Sequence, residues 1–396
     1  MTFDIDAVRA QFPALSQTID GHTPVFFDNP AGTQVPRGVI DAVTDYFGRM
    51  NANSGGVFPT SERSDAMVRA VRAKMARFLN APRADEIVFG ANMTTLNFAL
   101  SRALATAFAA GDEIVLTRMD HDANVAPWLR VAAERGMTVK WVDIREADCT
   151  LDLDTLEAAL SARTRIVATV HASNAVGTIN PVGRIAEMAH AVGALHIVDA
   201  VQSAPHIPID VQEIGCDFLL CSAYKFFGPH MGIMWGRYDL LESLPAYKVR
   251  PAKDKPPHRW ETGTPAFELI AGVGAAVDYI ASVGGMQTIG AYEQELTAHL
   301  IEMLLSFPEI HIAGIVDPAR LHERVPTVVF AHDRYTPEQV ARHLAHLGIY
   351  VWDGNYYAVE IMNRLGHGEH GMVRVGLAHY NTHAEIDRLE AALRLL

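Results

Sequence analysis

A lysine and an aspartate that follow two apolar runs have the chemistry needed to hold opposite sides of a pyridine ring. Lys225 follows the run Phe218–Leu220, and Asp199 follows the run Leu195–Val198. A lysine amine forms a Schiff base with an aldehyde, and a carboxylate keeps a pyridine nitrogen protonated so that the ring withdraws electrons. Burial of the lysine would supply the neutral amine. The pair therefore indicates pyridoxal 5'-phosphate (PLP) as a cofactor.

Other polar residues also follow apolar runs, and each has an ordinary interpretation as well as a functional one. His121 could stack on a flat cofactor ring or lie on an exposed loop. Asn174 could donate to the pyridine 3-oxygen or cap a turn, and Asp199 itself could be the N-cap of a following helix. The segment Gly90–Asn97 could open a helix whose free N–H groups bind phosphate, or it could be a simple helix cap.

Arg374 lies inside the apolar run Met372–Leu377. A buried guanidinium without a partner is costly. It either pairs with a group of the protein or binds the carboxylate of a ligand in a bidentate manner. The residues alone leave both interpretations open.

Short apolar runs alternate with amphipathic patterns, which is typical of a parallel sheet with crossover helices. The predicted strands are Glu86–Phe89, Glu113–Leu116, Thr138–Val142, Arg165–Val170, His196–Val198 and Phe218–Leu220. The predicted helices between them include Arg63–Leu79, Leu96–Ala107, Val125–Arg135 and Arg184–Ala191. Ligands of open α/β sheets bind at the carboxyl ends of the strands, where the polar residues described above are expected.

The pattern changes after about residue 265. One long helical stretch is predicted over Ala266–Phe307, followed by strands and helices that end with a helix over Thr382–Leu395, which begins with a capping box. We therefore predict a large domain of residues 16–265 and a small α+β domain of residues 266–396, joined by residues 1–15. Residues 251–258, rich in proline and lysine, are predicted to form an exposed loop.

Composition excludes several classes of function. The 396 residues are 49% hydrophobic and carry a formal net charge of -13, which argues against nucleic-acid and anionic-membrane binding. The three cysteines form no metal-type pair and no disulfide framework, so no metal is expected. The amino terminus lacks the pattern of a signal peptide, and no run of about 20 apolar residues occurs. A cytoplasmic enzyme acting on small molecules is the expectation.

Taken in order, these motifs resemble the class V aminotransferase family of fold-type I PLP enzymes, and within it the cysteine desulfurase and selenocysteine lyase branch. The resemblance runs from Phe26–Gly32 to His379–His383. It implies an α/β fold in which a mostly parallel seven-stranded sheet lies between helices, with a smaller α+β domain. Gly263–Pro265 resembles the segment that reaches the phosphate of the neighbouring subunit, which implies a homodimer with shared active sites.

The resemblance also implies roles for individual residues. Lys225 would be the Schiff-base lysine, Asp199 the partner of the pyridine nitrogen and His121 the ring-stacking imidazole, and these three would be catalytic. Further cofactor contacts would come from Met93, Thr94, Thr95, Asn174, Gln202, Ser222, Tyr224 and Thr264, with Tyr224 standing where desulfurases commonly have histidine. An amino acid substrate would contact Asn29, Ala31, Asn174, Trp352, Tyr357 and Arg374, with its α-carboxylate on Arg374.

One segment departs from the desulfurase pattern. Where those enzymes carry a mobile cysteine in a stretch similar to V-R-T-G-H-H-C-A, residues 351–358 read V-W-D-G-N-Y-Y-A. Tyr357 takes the place of the cysteine and Trp352 that of the arginine. A phenol cannot attack the substrate sulfur to form a persulfide. Tyr356 or Tyr357 either donates a proton or only lines the pocket.

The predicted function is therefore that of a PLP enzyme acting on an amino acid, by transamination, by racemisation or by β-elimination at a C–S bond. One alternative is a cysteine desulfurase or selenocysteine lyase that uses an external acceptor. The other is a PLP-binding regulatory protein without turnover.

Overall fold

A computed structural model describes residues 3–396 and contains the alternation of helices and strands that the sequence predicts. The helices are α1 (Ile5–Arg9), α2 (Arg37–Arg49), α3 (Pro59–Phe78), α4 (Met93–Ala105), α5 (Ala126–Arg135), α6 (Leu153–Ala159), α7 (Val182–Ala191), α8 (Val211–Ile214), α9 (Tyr238–Ser243), α10 (Phe267–Ser282), α11 (Gly285–Leu305), α12 (Pro337–His346), α13 (Val359–Arg364) and α14 (His383–Leu393).

Each of the six predicted strands is present, with ends that differ by at most two residues. The strands are β1 (Val25–Phe26), β2 (Ile87–Gly90), β3 (Glu113–Thr117), β4 (Thr138–Val142), β5 (Ile144–Arg145), β6 (Thr150–Leu151), β7 (Thr164–Val170), β8 (Leu195–Asp199), β9 (Phe218–Ser222), β10 (Gly232–Gly236), β11 (Ile310–Ala313), β12 (Thr327–His332), β13 (Ile349–Tyr350), β14 (Trp352–Gly354) and β15 (Met372–Gly376).

The large sheet has seven strands in the order β2-β10-β9-β8-β7-β3-β4, and only β10 runs antiparallel to its neighbours. Its strands are apolar on both faces because helices cover both. Ile87 and Phe89 pack into the core that holds residues of α2, α3 and α10, whereas Val88 packs into the core with α4 and α5. Near-continuous apolar strands are what a parallel sheet buried between helices requires. The predicted fold class is confirmed.

The carboxyl-terminal part of the chain forms a four-stranded antiparallel sheet in the order β11-β12-β15-β14. Helices α11, α12 and α14 pack against it. In the pairing of β14 with β15, Trp352 lies directly opposite Arg374. Paired residues of antiparallel strands point to the same face of the sheet. The register therefore brings these two predicted substrate contacts together.

The division of the chain near residue 265 stays a prediction. Val8 and Phe12 belong to the core that includes α10, and Arg9 binds the main-chain carbonyl of Tyr380 and the carboxylate of Glu385. The amino-terminal segment thus contacts both parts of the chain. Residues 1 and 2, which the domain prediction includes, lie outside the described residues.

The long helical stretch predicted over Ala266–Phe307 consists of two helices, α10 and α11, which are bent by 68° from one another. At the junction, Gly284 precedes α11 and Gly285 begins it, with φ values of 100° and 78°. Glycine adopts this left-handed conformation without the clash that a Cβ would cause, so the pair ends one helix and begins another. Within residues 3–396 no single helix has the length and apolarity to cross a membrane, and this bent pair meets that test only in combination.

Three smaller predictions have different outcomes. The capping box is confirmed, because Thr382 Oγ1 accepts a hydrogen bond from Glu385 N at 3.2 Å and Glu385 Oε2 accepts one from Thr382 N at 3.1 Å. Asp199 does not cap a helix, because turns follow it. The loop of residues 251–258 is mostly exposed, although Pro256 and Pro257 are buried.

Candidate active site

A cavity of about 280 Å³ opens at the carboxyl edge of the large sheet. Val170, Asp199 and Ser222, the last residues of β7, β8 and β9, all line it. Open α/β sheets bind their ligands at this edge. Most of the predicted site residues line this one cavity: Ala31, Met93, Thr94, His121, Asn174, Asp199, Gln202, Ser222, Tyr224, Lys225, Trp352, Tyr357 and Arg374.

Three predicted residues lie elsewhere. Thr95 and Thr264 line a second cavity of about 480 Å³. The main-chain N–H and the hydroxyl of Thr95 both donate to Asn92 Oδ1 at 2.8 Å, so Thr95 takes part in the cap of α4. Asn29 is buried, and its Nδ2 donates to the carbonyl of Gly376 at 2.8 Å. The amide of Asn29 therefore links the chain after β1 to the end of β15.

Lys225 is held at the floor of the first cavity. It ends a short 3₁₀ turn directly after β9 and is only 7% exposed. Its Nζ donates to the carbonyl of Ala31 at 2.9 Å and to that of Pro30. Burial and the nearby charge of Arg374 lower the pKa of Lys225 to about 7, against the weaker opposing effect of Asp199. A large fraction of this amine is therefore neutral, and hence nucleophilic, at neutral pH.

The carboxylate of Asp199 is also buried, at 2% exposure. Its Oδ1 accepts a hydrogen bond from Val201 N at 2.9 Å, and among residues 3–396 no protein group donates to Oδ2. Burial raises the pKa of Asp199 to about 6, while Lys225 opposes that rise. A buried carboxylate with a free oxygen is stabilised by a cationic partner, such as a protonated ring nitrogen.

The imidazole of His121 is neutral and fixed in orientation. Its Nδ1 accepts a hydrogen bond from Ala123 N at 3.0 Å, so the ring proton is on Nε2. Burial, together with the charges of Lys225 and Arg374, lowers the pKa of His121 to about 4. A neutral aromatic ring on the cavity wall offers a flat surface against which another ring can stack.

The amide side chains of Asn174 and Gln202 both donate to main-chain carbonyls. Asn174 Nδ2 binds the carbonyl of Tyr356 at 3.0 Å, and Gln202 Nε2 binds that of Pro30 at 2.8 Å. Asn174 Oδ1 is buried, and nothing within residues 3–396 donates a hydrogen bond to it. Donation to a pyridine 3-oxygen requires these amides to turn, so that predicted role stays a prediction.

The start of α4 forms one end of the cavity, as the sequence predicts. Asn92 is the N-cap, and Met93 and Thr94 of the first turn line the cavity. The first turn of a helix has free N–H groups and a positive dipole end, both of which favour phosphate. A Cβ on Gly232 of β10 would lie 2.3 Å from the carbonyl carbon of Asn92. Only glycine at position 232 lets the sheet and the helix start approach this closely.

Arg374 stands in the middle of β15 and is 3% exposed. Its Nη1 donates to the carbonyl of Asn174 at 2.9 Å, and its guanidinium lies 4.2 Å from the centre of the Tyr356 ring. Its Nε has no partner, and no carboxylate among residues 3–396 forms a salt bridge with it. Burial lowers the pKa of Arg374 to about 10, which leaves it charged at neutral pH. Of the two interpretations of Arg374, the binding of an anionic ligand fits these contacts better.

The segment that departs from the desulfurase pattern forms the outer wall. Trp352 and Tyr357 line the cavity, and the Tyr357 ring lies 5.5 Å from that of His121. The hydroxyl of Tyr356 donates to the carbonyl of Met372 and is thus engaged with the main chain. This contact favours a lining role for Tyr356 over proton donation.

Sequence reasoning missed several members of the site. Pro30 lines the cavity, and the charge of Asp28 acts on Lys225 and Arg374. Asn92 and Tyr356 also line it: the sequence placed Asn92 in the helix-opening segment and gave Tyr356 a lining role as one of two interpretations, but assigned neither a contact of its own. The N-cap pattern at Asn92 was a usable signal. The positions of Pro30, Asp28 and Tyr356 depend on contacts between distant parts of the chain, for which no local pattern exists.

These residues fit PLP. A neutral buried amine, a buried carboxylate with a free oxygen, a flat neutral imidazole and a free helix start surround one cavity. They match the aldehyde, the pyridinium, the ring face and the phosphate of the cofactor, respectively.

Comparison with protein families decides the assignment. The family described as Aminotransferase class-V matches residues 25–389. The chain belongs to the class-V aminotransferase family. Members of this family and their desulfurase relatives use PLP, which confirms the cofactor prediction, and the protein is an enzyme.

Similar sequences and structures carry desulfurase names. The chain is 36% identical to a probable cysteine desulfurase of Streptomyces coelicolor, covering 98% of this chain and 95% of that protein. It is 35% identical to a cysteine desulfurase of Dickeya dadantii, covering 99% and 96%. The apo cysteine desulfurase of Thermococcus onnurineus superposes with a TM-score of 0.91 at 27% identity, covering 98% of this chain and 97% of that one. The protein is thus a cysteine desulfurase-like PLP enzyme.

Proposed function

We propose that this enzyme acts on an amino acid by transamination or by β-elimination at a C–S bond, without forming a persulfide on one of its own cysteines. The observation that carries the proposal is that Lys225, Asp199 and Arg374 line one cavity whose outer wall presents Tyr357. When bound, PLP supplies an aldehyde that condenses with amines and a ring that withdraws electrons from the amino acid Cα.

Arg374 would orient the substrate. Its unpartnered Nε and its retained charge suit a carboxylate, which a guanidinium binds with two parallel hydrogen bonds. The Tyr356 ring beneath it and the Asn174 carbonyl fix the guanidinium plane. A carboxylate on Arg374 and an amine near Lys225 Nζ would place Cα between them.

Lys225 would then move the proton. With the substrate amine held beside it, Lys225 Nζ would accept the proton from the substrate Cα, because its pKa of about 7 allows it to act as a base at neutral pH. The carbonyls of Pro30 and Ala31 hold the amine in place. Asp199 would stabilise positive charge at the ring nitrogen throughout.

The positions of the three cysteines support a route without a protein persulfide. Cys149, Cys216 and Cys221 are each at most 2% exposed, and none lines the cavity. Burial raises the pKa of Cys149 to about 11 and raises the pKa values of the other two thiols as well. A thiol must be accessible and ionised to attack sulfur.

We also propose that the enzyme is a homodimer in which Thr264 of one subunit contacts the cofactor phosphate in the active site of the other. Thr264 lies in the second cavity together with Thr95 and Arg102 of α4. That cavity and the active-site cavity thus flank the same helix start, where phosphate is expected to bind.

The second candidate is a desulfurase that passes sulfur directly to an external acceptor. The names of the relatives favour it. The two candidates differ in their products: transamination gives a keto acid and an aminated cofactor, β-elimination gives keto acid, ammonia and sulfide, and desulfuration gives alanine.

The test is a product screen with the PLP-loaded protein and a panel of amino acids, including L-cysteine. Keto acid formation, with or without ammonia and sulfide, is the expected result. Alanine formation from L-cysteine at the rate of a dedicated desulfurase would contradict the proposal. If no amino acid of the panel gives a product although the cofactor is bound, the result would favour a PLP-binding protein without turnover.

A further inference from the structure

The rim of the active-site cavity is aromatic and exposed. Trp352 is 48% exposed and Tyr357 is 70% exposed, yet both line the cavity that holds Lys225 and Arg374. The Trp352 indole leaves the same face of the small sheet as Arg374, and the Tyr357 ring is tilted by 35° from that of His121. One ring thus lies beside the proposed carboxylate site and the other beside the imidazole.

The main chain holds Tyr357 at the rim in a conformation that side chains disfavour. Tyr356 and Tyr357 have φ values of 54° and 58°, which non-glycine residues rarely adopt. Three hydrogen bonds maintain it: Asp122 N donates to the Tyr357 carbonyl at 2.7 Å, Asn174 Nδ2 to the Tyr356 carbonyl at 3.0 Å, and Tyr357 N to Asn355 Oδ1 at 3.0 Å. Strain that surrounding contacts maintain at a cavity indicates a function for the strained residue.

The charges that line the cavity limit the substrate side chain. Among residues 3–396, Lys225 and Arg374 are the only lysine or arginine side chains that line it, and the proposed function assigns them to the amine and the α-carboxylate. A second carboxylate on the substrate would have no cation to bind. Asp199, the only carboxylate in the described part of the chain that lines the cavity, is assigned to the cofactor, so a cationic side chain would have no partner either. A neutral side chain remains.

We propose that the site selects amino acids with a flat aromatic side chain, which Trp352 and Tyr357 bind at the rim. Aromatic rings at offset or edge-to-face distances attract each other beyond the effect of apolar burial. This inference rests on the proposed function, because the side chain reaches the rim only if the amine lies at Lys225 and the carboxylate at Arg374.

The test titrates the PLP-loaded full-length protein with L-phenylalanine, L-alanine, L-cysteine and L-aspartate, and follows the visible absorbance of the cofactor. L-Phenylalanine should bind at least about tenfold more tightly than L-alanine, and L-aspartate most weakly. Trp352→Ala and Tyr357→Ala should each weaken L-phenylalanine binding about three- to tenfold and leave that of L-alanine within about twofold.

Two further variants sharpen the result. Tyr357→Phe keeps the ring and should still bind L-phenylalanine more tightly than L-alanine. If this variant loses that preference, the effect belongs to the hydroxyl, and the proposal is overturned. Leu305→Ala, at a 54% exposed position at the end of α11, should change nothing.

Equal affinities for L-phenylalanine and L-alanine would overturn the proposal. So would tighter binding of L-cysteine than of L-phenylalanine, or an equal loss of affinity for every amino acid in Trp352→Ala and Tyr357→Ala. These outcomes leave the proposed function intact. If no amino acid changes the absorbance, the proposed function fails, and the substrate preference fails with it.

Discussion

The inner and outer halves of the cavity are built in different ways. The inner half comes from strand ends and the turns after them: Asp199 and Ser222 are buried and held by strand pairing, and Lys225 is buried in the turn directly after β9. The outer half comes from residues 352–357, in which the rings of Trp352 and Tyr357 are exposed, that of Tyr356 is buried, and the main chain is strained at Tyr356 and Tyr357. The difference suggests that the first half sets the cofactor chemistry and the second half the substrate.

Sheet register explains why the inner half is rigid. Val170 of β7 pairs with Asp199 of β8, and Asp199 pairs with Leu220 of β9. A shift by one residue would turn every side chain of a strand to the opposite face. In the outer half, Trp352–Gly354 pair with β15, but residues 355–357 lie beyond that pairing and are held by single hydrogen bonds such as the one from Asn174 to the Tyr356 carbonyl.

The largest effect is expected at Lys225. Lys225→Ala removes the amine that attaches the cofactor, so the visible absorbance of covalently bound PLP should vanish and turnover should stop. Absorption spectroscopy after dialysis measures this. The matched control is Lys253→Ala, at an exposed position of the loop of residues 251–258, which should retain both the absorbance of bound PLP and turnover. Retained covalent attachment in Lys225→Ala would mean that another amine holds the cofactor.

Arg374→Met should weaken amino acid binding by about 100-fold, because two charge-assisted hydrogen bonds are lost. The affinity for the corresponding amine, which has no carboxylate, should stay unchanged. This control separates loss of the carboxylate contact from damage to the fold. Titration of both ligands against wild type and variant gives the comparison. Equal weakening of the two ligands would show that Arg374 does not contact the carboxylate.

The pKa of Lys225 predicts the pH dependence of the apoprotein. The amine is protonated below about pH 7 and neutral above it, so the rate of PLP uptake should rise with pH and reach half its maximum near pH 7. Arg374 lowers this pKa, so Arg374→Met should move the midpoint upward. Stopped-flow absorbance measures both; a midpoint near 10 would mean that Lys225 behaves as an exposed lysine.

The same pKa predicts how pH affects stability. Between about 7 and the ordinary lysine value of 10.5, the unfolded chain binds more protons at this position than the folded one. The Lys225 contribution should therefore make apoprotein stability rise with pH across that window. Comparison of urea denaturation of wild type and Lys225→Met at several pH values isolates this contribution.

The smallest effect is expected in the outer loop. Tyr357→Gly should be more stable than Tyr357→Ala by about 1 kcal/mol, because glycine adopts a positive φ without a Cβ clash. Both variants lack the ring and should bind L-phenylalanine equally weakly. Chemical denaturation and cofactor titration measure the two effects separately. Equal stabilities would show that the loop conformation is not strained.

The inner half was largely predictable from sequence because strand ends have a local signature. Asp199 and Lys225 follow apolar runs, and the helix start at Asn92–Thr94 follows another, so all were expected at one sheet edge. Thr95 was predicted to contact the cofactor, but its hydroxyl donates to Asn92, the cap residue of its own helix.

The outer half was less predictable. The positive φ values of Tyr356 and Tyr357 depend on hydrogen bonds from Asp122 and Asn174, more than 180 residues away in the chain. No pattern within residues 351–358 specifies those contacts. The break between α10 and α11 was missed for another reason. The apolar periodicity typical of a helix continues on both sides of Gly284, so the pattern does not indicate the turn there.

The most direct test of the central claim, that chemistry proceeds without a protein persulfide, is the intact mass of the PLP-loaded enzyme during turnover of L-cysteine. The cysteines are buried with raised pKa values, so the polypeptide mass should stay unchanged while keto acid forms. A mass increase of one sulfur atom, located on Cys149, Cys216 or Cys221 by peptide mapping, would contradict the account.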